Sequence, residues 1–262
     1  GISRTNLIFK RINQFMLILA TGFHIIPMRL LMAMMLSSLL LKPISRLEAA
    51  PPDSLCTIER KAGLLAEDNL GNLYLSEKGT LFKYNARGKM QYRNNIKLFG
   101  SLYNLDTQNP LEVFLFFKET GVLVAFDNTL SKVWEFDLNR NNFSQTLAAC
   151  NSMQDGFWIF DGNDFLLKRI DQNGNVLFQS ENLFYLQEYV VDSVYLIEKG
   201  RRVYMFIPDI EVLEFDIFAT YVKKFSIKTN PPYYIDENDL FYTKNRKPHR
   251  FDKLLIKQLN IP

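Results

Sequence analysis

Groups able to do acid–base or metal chemistry are sparse in these 262 residues, which hold two histidines and two cysteines. The histidines are His24, in an apolar N-terminal stretch, and His249, in the basic run Lys244-Asn245-Arg246-Lys247-Pro248-His249-Arg250. One histidine outside that stretch cannot build a multi-histidine metal site. As a catalytic base it would need an activated nucleophile, and no Gly-x-Ser-x-Gly turn exists. His249 therefore reads as a solvated loop residue, and the run around it as a charged turn. Carboxylates are more numerous: Asp192, Asp209, Asp216, Asp236, Glu237 and Asp239 all lie in the second half. Carboxylates converging from separate repeats could hold calcium or form a glycosidase-like acid/base pair. The mark of such chemistry would be three or more acidic or amide side chains meeting in the central channel. The glycines sit in hairpin turns and not between a strand and a helix, so neither a phosphate loop nor a dinucleotide fingerprint is present. On this inventory no residue is assigned a catalytic, cofactor-binding or metal-binding role.

The elements that would position these groups are short strands joined by a recurring turn. It reads Tyr84-Asn85-Ala86-Arg87-Gly88-Lys89, then Phe126-Asp127-Asn128-Thr129-Leu130-Ser131, then Ile170-Asp171-Gln172-Asn173-Gly174-Asn175, then Phe215-Asp216-Ile217-Phe218-Ala219-Thr220. The anchors Asn85, Asp127, Asp171 and Asp216 are 42, 44 and 45 residues apart, the length of one four-stranded propeller blade. At such positions an Asx side chain caps the turn backbone, which is the role expected of these carboxylates. The spacing predicts an all-β, five-bladed β-propeller of four-stranded antiparallel meanders over residues 51–262. The expected strands are Gly63–Ala66, Asn72–Ser76, Thr80–Tyr84 and Lys89–Tyr92 in the first unit, with three each in the second and third. Those are Val113–Lys118, Val122–Phe126 and Lys132–Phe136, then Gly156–Phe160, Phe165–Ile170 and Asn175–Gln179. The fourth unit holds Tyr189–Ile197, Arg202–Ile207, Glu211–Phe215 and Tyr221–Ile227. The fifth holds Tyr233–Ile235, Asp239–Thr243 and His249–Leu259. A lone meander cannot cover both of its faces, so blades must stack, and the 22 Phe and 12 Tyr suit the wedge between twisted sheets.

Charge separates the chain into two parts. Residues 1–50 carry six Lys/Arg and one acidic residue, while the remaining 212 hold 25 basic and 27 acidic groups. A nucleic-acid partner would require a cationic folded domain, so that class is set aside. Within residues 1–50, Met28-Arg29 precedes the apolar run Leu30–Leu41, the size of a secretory h-region and short for a membrane span. Cleavage near Ala49-Ala50 with export to the periplasm is one reading. A signal anchor combining that run with Phe15–Pro27 is the other, and either way the membrane is met only through this segment. Cys56 and Cys150 could pair in an oxidising compartment; two buried free thiols are the simpler reading.

The units carried by Asp68-Asn69-Leu70-Gly71-Asn72-Leu73-Tyr74, Leu81–Lys89 and Leu167–Val176 resemble bacterial propeller repeats of the NHL and PQQ-like kind. Units two and four depart from them by lacking the turn glycine. With only Trp134 and Trp158 present, the quinone-enzyme tryptophan pattern is missing, and no cofactor is carried over. The Asn-, Phe-, Tyr- and Lys-rich style is similar to Bacteroidota envelope proteins, among them accessory or plug subunits of the type IX secretion translocon. With no catalytic group assigned, recognition is the remaining use of a propeller's rigid, loop-lined surface. The expectation is a non-enzymatic module that binds a protein partner in the periplasm or at the periplasmic face of the outer membrane. The alternative is a lactonase- or glycosidase-like propeller hydrolase using channel carboxylates and bound calcium.

Overall fold

The computed structural model describes residues 63–253 apart from 110, 190–192 and 246, together with Ile58, Arg60 and the backbone of 257–260. The N-terminal segment with His24 and Cys56, as well as Asp192 and Arg246, lies outside the described residues. Five antiparallel four-stranded sheets follow one another along the chain, each a meander in sequence order. Blade 1 is β1 (Leu64–Glu67), β2 (Leu73–Glu77), β3 (Thr80–Tyr84) and β4 (Met90–Asn95). Blade 2 is β5 (Asn104–Asp106), β6 (Val113–Phe117), β7 (Val122–Phe126) and β8 (Lys132–Asp137). Blade 3 is β9 (Thr146–Asn151), β10 (Phe157–Asp161), β11 (Leu166–Ile170) and β12 (Val176–Gln179). Blade 4 is β13 (Tyr195–Lys199), β14 (Arg202–Ile207), β15 (Glu211–Asp216) and β16 (Tyr221–Phe225). Blade 5 is β17 (Asn230–Ile235), β18 (Asp239–Lys244), β19 (Lys247–Asp252) and β20 (Lys257–Asn260). The architecture is the five-bladed propeller that the turn spacing predicts.

The differences from expectation are local. Blades 2 and 3 each gain an innermost strand, β5 and β9, that the pattern of apolar residues did not show. The strand expected over Tyr189–Ile197 begins only at Tyr195, after a 3-10 turn at Phe184–Glu188. The single strand expected over His249–Leu259 is two, β19 and β20, with Lys253 after the first. The basic run is mostly sheet: β19 pairs with β18 from Lys244↔Lys247 to Asp239↔Asp252. His249 is accordingly a half-buried strand residue stacked 5.6 Å from Tyr242, not a solvated loop residue.

Burial explains why the blades need one another. Every residue of β6 and β10 is buried, whereas β4 exposes all but one of its residues. A strand buried on both faces requires a neighbouring blade on each side. Apolar clusters supply this between blades 1 and 2 (Tyr74, Leu81, Leu115, Phe126), 2 and 3, 3 and 4, and 4 and 5 (Phe206, Val212, Leu240, Phe251). Each fully buried Phe or Leu contributes about 1.5–3 kcal/mol. At the start of the innermost strands, Tyr103 of blade 2 stacks on Tyr195 of blade 4, with ring centroids 5.5 Å apart. Tyr233 of blade 5 meets Tyr195 edge-on at 5.4 Å, and the Tyr103 hydroxyl donates to the Val194 carbonyl at 3.1 Å. Aromatic rings thus bridge non-adjacent blades across the axis.

The repeated turn has one geometry in all four copies. The anchor's side-chain oxygen accepts the N–H groups two and four residues on: Arg87 and Lys89 on Asn85, Thr129 and Ser131 on Asp127. Asp171 and Asp216 do the same for Asn173 and Asn175, and for Phe218 and Thr220. The ladder slips by one residue just before each anchor, at Tyr84, Phe126, Ile170 and Phe215. This is a turn closed by a bulge whose third loop position is left-handed. Gly88 and Gly174 occupy it with φ of 74° and 88°, and Leu130 and Ala219 with 61° and 65°. Units two and four therefore keep the turn without its glycine, accepting about 1–2 kcal/mol of strain each.

Candidate functional site

An antiparallel meander puts its first and third turns at one end and its second turn at the other. At the first-turn end, polar groups from the innermost strands tie successive blades together. Thr107 donates to the Glu67 carbonyl at 3.0 Å, and Asn69 to the Gln108 carbonyl at 2.9 Å, joining blades 1 and 2. The last residue of β5, Asp106, accepts from the Asn151 N–H at 3.1 Å and from its own turn at Gln108, 3.0 Å. In β13, Glu198 reaches back to blade 3, accepting from Trp158 Nε1 at 2.6 Å and from the Met153 N–H at 3.3 Å. Blade 3 is clasped by a carboxylate from each side.

Both carboxylates are buried. Burial pushes the Asp106 carboxyl up to about 6, the Glu198 charge acts the same way, and the Gln108 and Asn151 N–H bonds and Lys199 oppose it. The same surroundings hold the buried free thiol of Cys150 well above its ordinary range, first through burial and then through Asp106 and Glu198. The Asn151 side-chain Nδ2 is buried beside them without a hydrogen-bond acceptor. Two acids and an amide of three successive blades thus stand at the ends of neighbouring strands. None of Asp106, Asn151 and Glu198 was among the acids singled out in the sequence, although Asp106 and Asn151 stand 45 residues apart, as do Met153 and Glu198. That blade-length separation was the available signal. Among the described residues no three His, Cys, Asp or Glu side chains are placed to hold a metal ion.

The carboxylates that the sequence did single out are dispersed. Asp209 sits at φ 59° in the β14–β15 turn and accepts from Asn230 at 3.0 Å. Asp216 caps its turn, and Asp236 accepts the Glu237 N–H at 2.7 Å beside exposed Glu237. Buried Asp239 pairs with Arg250 at 2.8 Å, which removes Arg250 from the set of free rim charges. Gly200-Arg201-Arg202 forms the β13–β14 turn and lines a cleft of about 300 Å³ with Asp216, Ile217 and Phe218.

The rim is where apolar surface remains. Of the fifteen large apolar side chains exposed among the described residues, eight fall between Val176 and Val222. They are Val176 and Leu177 on β12, Phe184, Tyr185 and Tyr189 on the connection to blade 4, and Phe218, Tyr221 and Val222 on blade 4. Ring contacts link parts of the group: Phe178 lies 5.3 Å from Phe218, and Tyr221 lies 6.0 Å from buried Phe215. The Tyr185 hydroxyl donates to Glu211 at 2.8 Å.

No family model matches the chain, and no curated protein is recognisably similar to it. Solved structures with the same fold are numerous and distant. Virginiamycin B lyase from Staphylococcus aureus superposes with a TM-score of 0.54 at 12% identity, over 76% of this chain and 69% of that one. A Bacteroides caccae protein of unknown function gives 0.54 at 7% identity, over 75% and 80%. A Bacteroides fragilis protein described as exported gives 0.52 at 17% identity, over 79% and 72%. At these identities the likeness is one of fold, and the chain is a β-propeller.

Proposed function

We propose that this chain is an exported β-propeller that works by binding protein partners in the cell envelope, as a non-enzymatic subunit of a secretion assembly. In this reading residues 1–50 direct export and residues 51–262 form the binding body. The observation that carries it is the contrast between the rim and the inner end. Aromatic and aliphatic side chains stand exposed on turns and strands stiffened by Asx bonds, as in the anchor residues of protein interfaces. The clustered carboxylates, by contrast, are buried and already accept hydrogen bonds from neighbouring blades. The decisive experiment is fractionation of the native host followed by crosslinked affinity capture of the tagged protein. The expected result is an envelope-associated protein that starts near Ala50 and is recovered with a defined partner. Full-length protein in the cytoplasm without a partner would overturn it.

A hydrolase is the opposing reading. What favours it is Asp106, held near 6 by burial beside a second carboxylate, since a general acid works best with a pKa near the working pH. Asp106→Asn and Glu198→Gln distinguish the two. Loss of function with fold and partner binding intact favours an enzyme.

A further inference from the structure

We propose that Asp106 and Glu198 form a proton-operated latch on the β9–β10 turn, residues 152–156, at the inner end of the propeller. With one of the two carboxyls protonated the turn is held down. With both ionised it loosens and admits water.

The two acids reach blade 3 from opposite sides and hold one short segment of it. Asp106 accepts the Asn151 N–H at 3.1 Å; Glu198 accepts the Met153 N–H at 3.3 Å and Trp158 Nε1 at 2.6 Å. Between these points the Cys150 sulfur accepts the Glu198 N–H. Both acids are buried, and among the described residues neither is in an ion pair. Half-buried Lys199 on β13 is the one described cation whose charge reaches Asp106. The other strands around Asp106 bring little charge: β1 has exposed Glu67, while β6 and β9 have no charged residue.

Two carboxyls without a paired cation in one buried cluster resist ionising together. Water relieves the second charge, and the cover beside these groups is the turn itself, where Met153, Gln154 and Asp155 are exposed. The Asn151 Nδ2, buried without an acceptor, is an unspent donor next to Asp106 that an ionised carboxylate can use. Arg169 of β11 holds the far limb of the turn, with Nε on the Asp155 carbonyl at 3.1 Å and Nη1 on Gln154 at 3.3 Å. Release therefore concerns the near limb, Ser152 and Met153. Burial first, and the Glu198 charge with it, pushes Asp106 up to about 6. The latch is closed below that value and opens as pH rises through it.

The reporter is Trp158, whose indole is bonded to Glu198. In the full chain carrying Trp134→Phe it is the one tryptophan left. Acrylamide quenching of its emission should rise about 2-fold or more between pH 5 and 7.5, with its midpoint near 6 and the far-UV circular dichroism unchanged. Asp106→Asn should abolish the rise. Glu198→Gln, which removes the second charge and keeps an oxygen for Trp158, should lower the midpoint by about half a pH unit or more. Asp155→Asn, in the exposed part of the turn, and His249→Gln, in blade 5, should change nothing. Absence of a transition in this range, or one that survives Asp106→Asn or vanishes in Asp155→Asn or His249→Gln, would overturn the proposal. So would loss of the far-UV signal over the same range, which means that the whole fold opens. Should Asp106→Asn not fold, the Glu198→Gln midpoint decides, and an unchanged value rejects the latch.

Discussion

Replacing Asp106 with Asn should remove a pH dependence that this one carboxyl imposes on the fold. The group is buried at the inner end of blade 2, and burial raises it from 3.8 to about 6. In the unfolded chain an Asp titrates near 3.9. A folded-state value above the unfolded one means that the native protein holds the proton more tightly. The stabilising contribution is then full below about pH 4 and is lost as pH rises through about 6. At about 1.4 kcal/mol per pH unit the total is about 3 kcal/mol, of which about 2 kcal/mol falls between pH 4.5 and 7.5. Urea unfolding of wild type and Asp106→Asn across that range measures it directly. The variant also alters a hydrogen bond to Asn151 or Gln108, a cost that is constant with pH, so the slope and not the absolute difference is the readout. The variant should gain about 2 kcal/mol on wild type between the two ends of the range. Curves that stay parallel, or a wild type that gains on the variant as pH rises, would refute the reasoning.

Four further outcomes follow from the same structure. Glu198→Ala should cost about 2–3 kcal/mol, because it strands the buried Trp158 Nε1, and adding Trp158→Phe should cost less than it does alone; a double-mutant cycle in urea checks the coupling. Gly156→Ala should fail to yield folded protein, since φ is +70° and the new Cβ would lie 1.9 Å from the Ile170 carbonyl oxygen; a normal melting curve would contradict this. Asn85→Ala should cost about 1 kcal/mol through its turn bonds. Asp127 is held below the usual carboxylate range first by Thr129 and then by Ser131, so its contribution is lost as pH falls through that depressed value. Asp127→Asn should flatten the acid limb of the stability curve between pH 5 and 2.5.

Legibility in the sequence followed the range of each interaction. Asn85, Asp127, Asp171 and Asp216 were readable because an Asx side chain bonds N–H groups two and four residues on, so the whole unit lies in one window. The middle strands were readable because burial on both faces demands runs such as Val113–Phe117. The β5 strand was not, having three residues of which two are polar. The β9 strand was missed as well, since Leu147-Ala148-Ala149 has little intrinsic strand preference and is held by neighbours on both sides. His249 misled because its run looks like a solvated loop, while β18 recruits it into a ladder. Asp106 and Glu198 were hidden because each bonds a different blade, and only the blade period connects such positions.

The cluster of Tyr103, Tyr195 and Tyr233 has a consequence for how the molecule comes apart. In a linear array of repeats each unit senses only its neighbours, so ends fray and stability is a sum of nearest-neighbour terms. Here a ring from blade 2 lies on a ring from blade 4, and its hydroxyl is bonded 91 residues along the chain. Loosening blade 4 therefore withdraws support from a blade it does not adjoin. Blades 2 to 5 should accordingly come apart in one transition and not blade by blade.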